Sequence, residues 1–263
     1  MPTATREEKL AAFGRLLDTM DRLRAECPWD REQTFETLRP LSIEEVYELA
    51  DAILRGERAD IAEEIGDVML HMIFYALLGE EEGAFDVASV LDAEVDKLVA
   101  RHPHIYGAVE VGGADDVKRN WERLKLRERG KTTVLGGVPR GLPALVKAVR
   151  MQEKTAQFGF EWETAEQVFT KVEEELAELR EAIRERHGAR RVEEEFGDVL
   201  FALVNYARFL AVDPEAALER TNQKFRRRFD EVEAASPRPL AEMTLGELDA
   251  LWEAAKARER GAA

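Results

Sequence analysis

This 263-residue sequence predicts an all-α fold in which one helical module is used twice. Three observations carry that prediction. Apolar residues recur at helical spacing; short polar residues followed three positions later by Glu or Gln mark helix starts; and β-type alternation is confined to residues 108–112. The first helix is outlined by Leu10, Phe13, Leu16, Leu17, Met20 and Leu23. Ser42 with Glu45 and Asp60 with Glu63 predict the next two starts, and Thr164 with Gln167 and Thr244 with Glu247 two later ones. Asp213-Pro214 predicts another, with proline at the first helical position.

Periodicity breaks at residues 130–143, which hold four glycines and two prolines, and this stretch is expected to be a linker. The organisation expected is therefore a module over 1–129, a linker over 130–143 and a second module over 144–263. The two halves repeat. Ile43-Glu44-Glu45-Val46-Tyr47-Glu48 matches Glu173-Glu174-Glu175-Leu176-Ala177-Glu178 at an offset of 130. Glu63-Glu64-Ile65-Gly66-Asp67-Val68 matches Glu194-Glu195-Phe196-Gly197-Asp198-Val199 at 131. Gly66 and Gly197 are placed inside helices, where each costs about 1 kcal/mol relative to alanine, and close approach of another group is the expected compensation.

Composition narrows the function. Fifty-four acidic against 38 basic residues give a net charge of −16, which argues against coating a nucleic-acid polymer. Cys27 is the single cysteine, so neither a disulfide nor a cysteine metal cluster is expected. Residues 1–10 lack the apolar core of a signal peptide, and residues 68–78 are too short to span a bilayer. A cytoplasmic protein without membrane partners is expected.

The chemistry is carried by the acids. Glu175 and Glu178 are three apart on one helix, and Glu195 and Asp198 three apart on the next, so each pair shares a face. The turn at residues 186–189 lets the helices run antiparallel, and four carboxylates then meet at one seam. A hard divalent cation relieves their repulsion, and oxygen donors without His or Cys favour Mg²⁺, with Mn²⁺ as a substitute. Mg²⁺ commonly shares its shell with phosphates, which points to metal-assisted attack on a phosphate chain. Glu45, Glu48, Glu64 and Asp67 form the equivalent set in the first half.

Asp198, Ala202 and Asn205 continue one face of their helix, whereas the position matching Asn205 is Phe74 and no equivalent of Asn222 is evident. A seam filled by Phe74 and Met72 suits packing, so the second half is expected to hold the main site. The block from Asn222 to Phe229 puts Lys224 and Arg228 on one face, positioned to hold phosphate oxygens. Lys97 and Arg101 are their nearest counterparts in the first half. Trp252 and Lys256 repeat the aromatic-plus-cation spacing, and Trp162, Trp29 and Phe160 suggest stacking. Gly130-Lys131-Thr132 is not a phosphate-binding loop, since Lys125 stands where its first glycine is needed. No histidine follows a Glu at three residues, which excludes a ferritin-like di-iron pattern.

Glu-Glu-x-x-Glu followed by Glu-x-x-Asp is similar to the signature of the all-α nucleoside triphosphate pyrophosphohydrolases. Residues 10 to 258 resemble the tandem-domain MazG family, with Cys27-Pro28-Trp29-Asp30, Arg101-His102-Pro103-His104 and Gly159-Phe160-Glu161-Trp162 as further landmarks. The resemblance implies Mg²⁺-dependent hydrolysis of nucleoside triphosphates to monophosphate and pyrophosphate, serving the nucleotide pool, by a homodimer of four-helix bundles. It implies that Glu175, Glu178, Glu195 and Asp198 hold metal, that Lys224 and Arg228 hold phosphates, and that Trp252 and Lys256 close on the substrate. It further implies that Glu174 or Glu194 orients the attacking water. The alternative of another class is a non-enzymatic helical dimerisation protein whose acids are solvated stripes.

Overall fold

Thr5 opens the first helix. Its hydroxyl accepts from the Glu8 N–H while the Glu8 carboxylate accepts from the Thr5 N–H, a capping box before α1 (Arg6–Glu26). The computed structural model describes residues 4–113, 116–117, 120–121, 124 and 133–261. Among these residues it contains no strand, and the alternating stretch at 108–112 is irregular. The all-α prediction holds. The chain divides into two compact units, Met1–Lys125 and Leu126–Ala263.

In the first unit, α1 is followed by α2 (Pro28–Glu32), α3 (Phe35–Arg55), α4 (Arg58–Glu81), α5 (Val87–Arg101) and α6 (Pro103–Tyr106). Two of the expected helix starts are displaced. Ser42 lies inside α3, which begins at Phe35 behind a Thr34 cap; its hydroxyl donates back to the Leu38 carbonyl instead. The helix containing Asp60 begins at Arg58, because Gly56 in the left-handed conformation (φ 77°) ends α3 and turns the chain at once. Asp60 pairs with Arg55 across that turn, at 2.9 Å. Met20, Leu38, Ile73, Phe74 and Leu78 make the core, where α1 crosses the α3–α4 pair.

The second unit runs through a 3₁₀ turn (Val134–Gly137), α7 (Ala144–Ala156), α8 (Ala165–Arg184), α9 (Ala189–Phe209), α10 (Pro214–Ala235) and α11 (Leu245–Gly261). Residues 130–132 of the expected linker lie outside the described residues; the remainder carries the 3₁₀ turn, which packs against α7. The three starts foreseen here stand. Thr164 and Gln167 cap each other, Asp213 accepts from the N–H groups of Glu215 and Ala216, and Thr244 and Glu247 bond reciprocally. Arg186, at φ 55°, reverses the chain between α8 and α9. Val168, Val172, Val199 and Val204 are buried in the α8–α9 pair, with α7 laid against α9 and α11 against α10.

Glycine at 66 and 197 is not explained by packing within the chain. A Cβ at either position would meet nothing within 4 Å. Met72 is likewise half-exposed and fills no seam, whereas Phe74 is 2% exposed.

Candidate active site

One turn of α8 and one of α9 bring three carboxylates together in the second unit. An oxygen from each of Glu175, Glu195 and Asp198 lies within 4.8 Å of the others. Glu195 is 2% exposed and Glu175 8%. Burial of that degree is costly for an anion unless it is compensated, so these acids are not solvated stripes. Glu178, one turn further along α8, is half-buried and stands outside the three.

Compensation comes from two cations of the same helices. Lys171 Nζ lies 2.8 Å from Glu175 and 2.8 Å from Glu174, and Arg191 bridges Glu195 and Glu194. Each cation thus straddles a buried acid and its exposed neighbour, and the two neighbouring acids hold its charge outward. The Lys171 ammonium is held well above its ordinary value by its bonds to Glu174 and Glu175. Neither cation was singled out from sequence, although both stand four residues before the acid they bridge, a spacing that signals an ion pair.

The first unit has the acids without the cations. Glu45, Glu48 and Glu64 gather within the same 4.8 Å, with Asp67 outside the three. Leu41 stands where Lys171 does, and Asp60 where Arg191 does. Burial first, then the charge of Asp67, raises Glu45 above the usual carboxylate range, and burial with Glu48 raises Glu64. The face beyond these acids is closed: His71 and Phe74 are buried at the positions of Ala202 and Asn205. Ser42 Oγ lies 2.8 Å from His71 Nδ1 and 2.7 Å from the Tyr75 hydroxyl, which makes His71 a bonded interior histidine.

In the second unit that face is a cavity of about 540 Å³. Glu175, Asp198 and Lys171 line it together with Trp162, Phe160 and Phe201. Asn205 lines it too, its Oδ1 accepting from Arg208 at 2.9 Å. Gln152, from α7, and the Arg208–Glu161 pair at 2.6 Å complete its polar wall; sequence reasoning did not assign them a role. Gln152 lies 49 residues from its partner Phe201, and Glu161 lies 47 from Arg208, separations that no local pattern exposes.

The remaining predicted groups gather elsewhere, on the seam of α10 and α11. Arg228 donates to Glu259 at 2.7 Å, with its guanidinium 5.8 Å from the centre of the Trp252 ring. Trp252 packs on Phe225, and Lys256 pairs with Glu253 at 2.6 Å. Lys224 is half-buried and Asn222 donates to Glu219. None of these residues lines the cavity. In the first unit Lys97 pairs with Glu94, and the buried Arg101 stacks over Trp121.

The nucleotide pyrophosphohydrolase domain model of the MazG family matches residues 33–106 and 163–233, one copy in each unit. The chain belongs to the MazG family. A nucleoside triphosphate pyrophosphohydrolase of Escherichia coli K12 is 40% identical over 258 residues, covering 93% of this chain and 97% of that protein. A nucleoside triphosphate pyrophosphohydrolase/pyrophosphatase MazG of Thermotoga maritima is 41% identical over 251 residues, 93% and 95% of the two chains. A crystal structure of a mazG-related protein from Thermotoga maritima aligns at 27% identity and a TM-score of 0.39, over 43% of this chain and 97% of that one. Both MazG matches contain an acid trio, at Glu45, Glu48 and Glu64 and at Glu175, Glu195 and Asp198.

Proposed function

We propose that this chain performs the nucleoside triphosphate pyrophosphohydrolase reaction of its family at the second unit's carboxylate cluster. Water cleaves the anhydride between the α- and β-phosphates, giving nucleoside monophosphate, pyrophosphate and a proton. The observation that carries the assignment is the contrast between the units: the same acids border a cavity in one and a filled core in the other. This reading keeps the modules proposed from sequence, 1–129 and 144–263 about the linker 130–143, and gives the first an architectural role.

The donor set fits Mg²⁺, with Mn²⁺ as a substitute. All donors are carboxylate oxygens, two of them buried and compensated only by side chains able to swing away. Glu175, Glu195 and Asp198 would hold it, with Glu178 one turn away. When bound, the metal neutralises charge on the phosphates and polarises the bond to be broken.

The chain's own residues supply the rest. Displaced from Glu175 and Glu195, Lys171 and Arg191 remain tethered to Glu174 and Glu194, and turn their charge toward the triphosphate. Glu174 and Glu194 thereby position those cations, and one of the two, through a carboxylate oxygen its cation does not use, orients the attacking water. Trp162, Phe160 and Phe201 exclude water from the bound nucleoside. Lys224 and Arg228 hold phosphate oxygens, and Trp252 with Lys256 closes on the substrate; Asn222 lies on the same helix as Lys224.

The assembly proposed is a homodimer of four-helix bundles. Phe196, Leu200 and Leu203 form an exposed apolar row on α9, and Ile65, Met69 and Met72 repeat it on α4 at an offset of 131. Gly66 and Gly197 sit beside these rows with open space before them, which lets a second copy approach closely. No described helix is long and apolar enough to cross a membrane, and the acidic charge disfavours nucleic-acid polymers. A cytoplasmic role in keeping the nucleotide pool accords with both.

Product analysis with a panel of nucleoside triphosphates tests the reading. Mg²⁺-dependent, equimolar monophosphate and pyrophosphate are expected. Diphosphate with inorganic phosphate, or no turnover with any triphosphate and metal, would refute it.

A further inference from the structure

Phe160 and Trp162 line the second unit's cavity from the loop between α7 and α8. Phe160 is 82% exposed and Trp162 44%. Burial within the chain therefore fixes Phe160 hardly at all and Trp162 only in part. The two ends of the loop are bonded to the flanking helices. The Thr155 carbonyl accepts from the N–H groups of Phe158 and Phe160 at 3.0 and 3.1 Å, where Gly159 turns the chain at φ 85°. At the far end Gln167 Oε1 accepts from the Glu163 and Thr164 N–H groups, at 2.9 and 3.2 Å.

Between these ends the loop is held through the Glu161 carboxylate. Its Oε1 accepts from the Trp162 N–H at 3.0 Å and from Arg208 Nη2 at 2.6 Å, and its Oε2 lies 2.6 Å from Arg208 Nη1. Arg208 is in turn tied to its own helix. It donates from Nη2 to Asn205 Oδ1 at 2.9 Å, with its guanidinium 5.2 Å from the centre of the Phe209 ring. A two-point pair of this kind fixes orientation as well as distance, and both side chains are largely buried, where screening is weak. A continuous chain of bonds thus runs from α9 to the backbone of Trp162. The same helix carries Glu195 and Asp198, and Asp198 stands ten residues before Arg208, about 15 Å along the axis. One rigid element therefore spaces the acids from the aromatic wall.

We propose that Glu161 and Arg208 are positioning residues of this site, whose pair holds Trp162 and Phe160 in place to stack on the nucleobase of the substrate. The proposal rests on the second unit being the catalytic one, and it deepens that reading by separating two tasks. The acids serve the triphosphate. The pair serves the nucleoside, acting through the rings. Stacking tolerates any base, because every base has a π-face, so this wall favours nucleotides over phosphate chains that lack a base. Loosening the loop then costs binding and spares bond cleavage.

The experiment uses the full chain with Mg²⁺. It compares kcat and KM for the best nucleoside triphosphate with the inhibition constant of inorganic tripolyphosphate, which has the phosphates and no base. Glu161→Gln keeps the size and an acceptor for the Trp162 N–H but loses the charge that Arg208 grips. It is expected to raise KM about tenfold, the scale of one lost base–aromatic stack, with kcat and the tripolyphosphate constant within about twofold of the wild type. Trp162→Ala is expected to do the same. Combining the two is expected to stay within about twofold of Trp162→Ala alone, since both act through one contact. Should Glu161→Gln fail to fold, Arg208→Lys keeps the charge, loses the two-point grip and is expected to raise KM in the same sense. An unchanged KM in Glu161→Gln or Trp162→Ala, additive effects in the double variant, or a parallel change in kcat or tripolyphosphate inhibition overturns the proposal while leaving the catalytic assignment intact. Absence of wild-type turnover with every triphosphate overturns the catalytic assignment and this proposal with it.

Discussion

Lys171 Nζ lies 2.8 Å from the buried carboxylate of Glu175, and in the first unit the corresponding pair is Leu41 and Glu45. That difference across the repeat helps separate an acid cluster that carries its own counter-charge from one that does not. The second cation repeats the contrast, Arg191 against Asp60.

Removing the tether is expected to weaken the metal-free second unit. Lys171→Met leaves Glu175 buried beside Glu195 and Asp198 with one cation fewer, a loss on the order of 1 kcal/mol for a partly exposed pair. Its melting temperature without divalent ions should fall, and the increment on adding Mg²⁺ should exceed that of the wild type. Calorimetry with and without Mg²⁺ reads both; an unchanged increment would mean that Lys171 does not compete for the cluster.

The closed face of the first unit makes a second prediction. Phe74→Ala removes a ring that is 2% exposed between Met20, Leu38 and Leu78, and should cost about 3–5 kcal/mol in the unfolding of that unit. Activity of the folded protein should persist. Parallel loss of kcat at temperatures well below the melting transition would show that the first unit takes part in the chemistry.

Acid should loosen the helix that carries Trp252 and Lys256. The N–H and hydroxyl of Thr244, together with the Arg238 guanidinium, hold the Glu247 carboxyl down at about 2. Because the folded state lowers this pKa, the contribution is complete above the ordinary carboxylate value of 4.5 and is lost as pH falls toward 2. Glu247→Gln should therefore lower stability at neutral pH and flatten its dependence between these limits. A melting-temperature profile against pH compares the two proteins.

What could be read from sequence followed the range of the interactions. Acids three apart, the duplicated register and the caps at Thr164, Asp213 and Thr244 are local, and periodicity exposes them. Ser42 misled because Thr34, with a threonine in place of Glu or Gln three residues on, makes the actual capping box. Gln152, Glu161 and Arg208 meet only when α7 and the loop before α8 fold onto α9, and helical periodicity carries no information about such contacts. Spacing and resemblance group Glu178 with Glu175, Glu195 and Asp198; the last three gather within 4.8 Å, and Glu178 stands one turn along α8.

The central claim is that catalysis belongs to the carboxylates of the second unit. The most direct test compares Glu175→Gln with Glu45→Gln, each shown by circular dichroism to keep its helices, in Mg²⁺-dependent release of pyrophosphate and monophosphate. Glu175→Gln is predicted to lose about 10²-fold or more in kcat, the scale of lost electrostatic stabilisation in a transition state, and Glu45→Gln to stay within about twofold of the wild type. Loss of activity in Glu45→Gln with Glu175→Gln intact would contradict it.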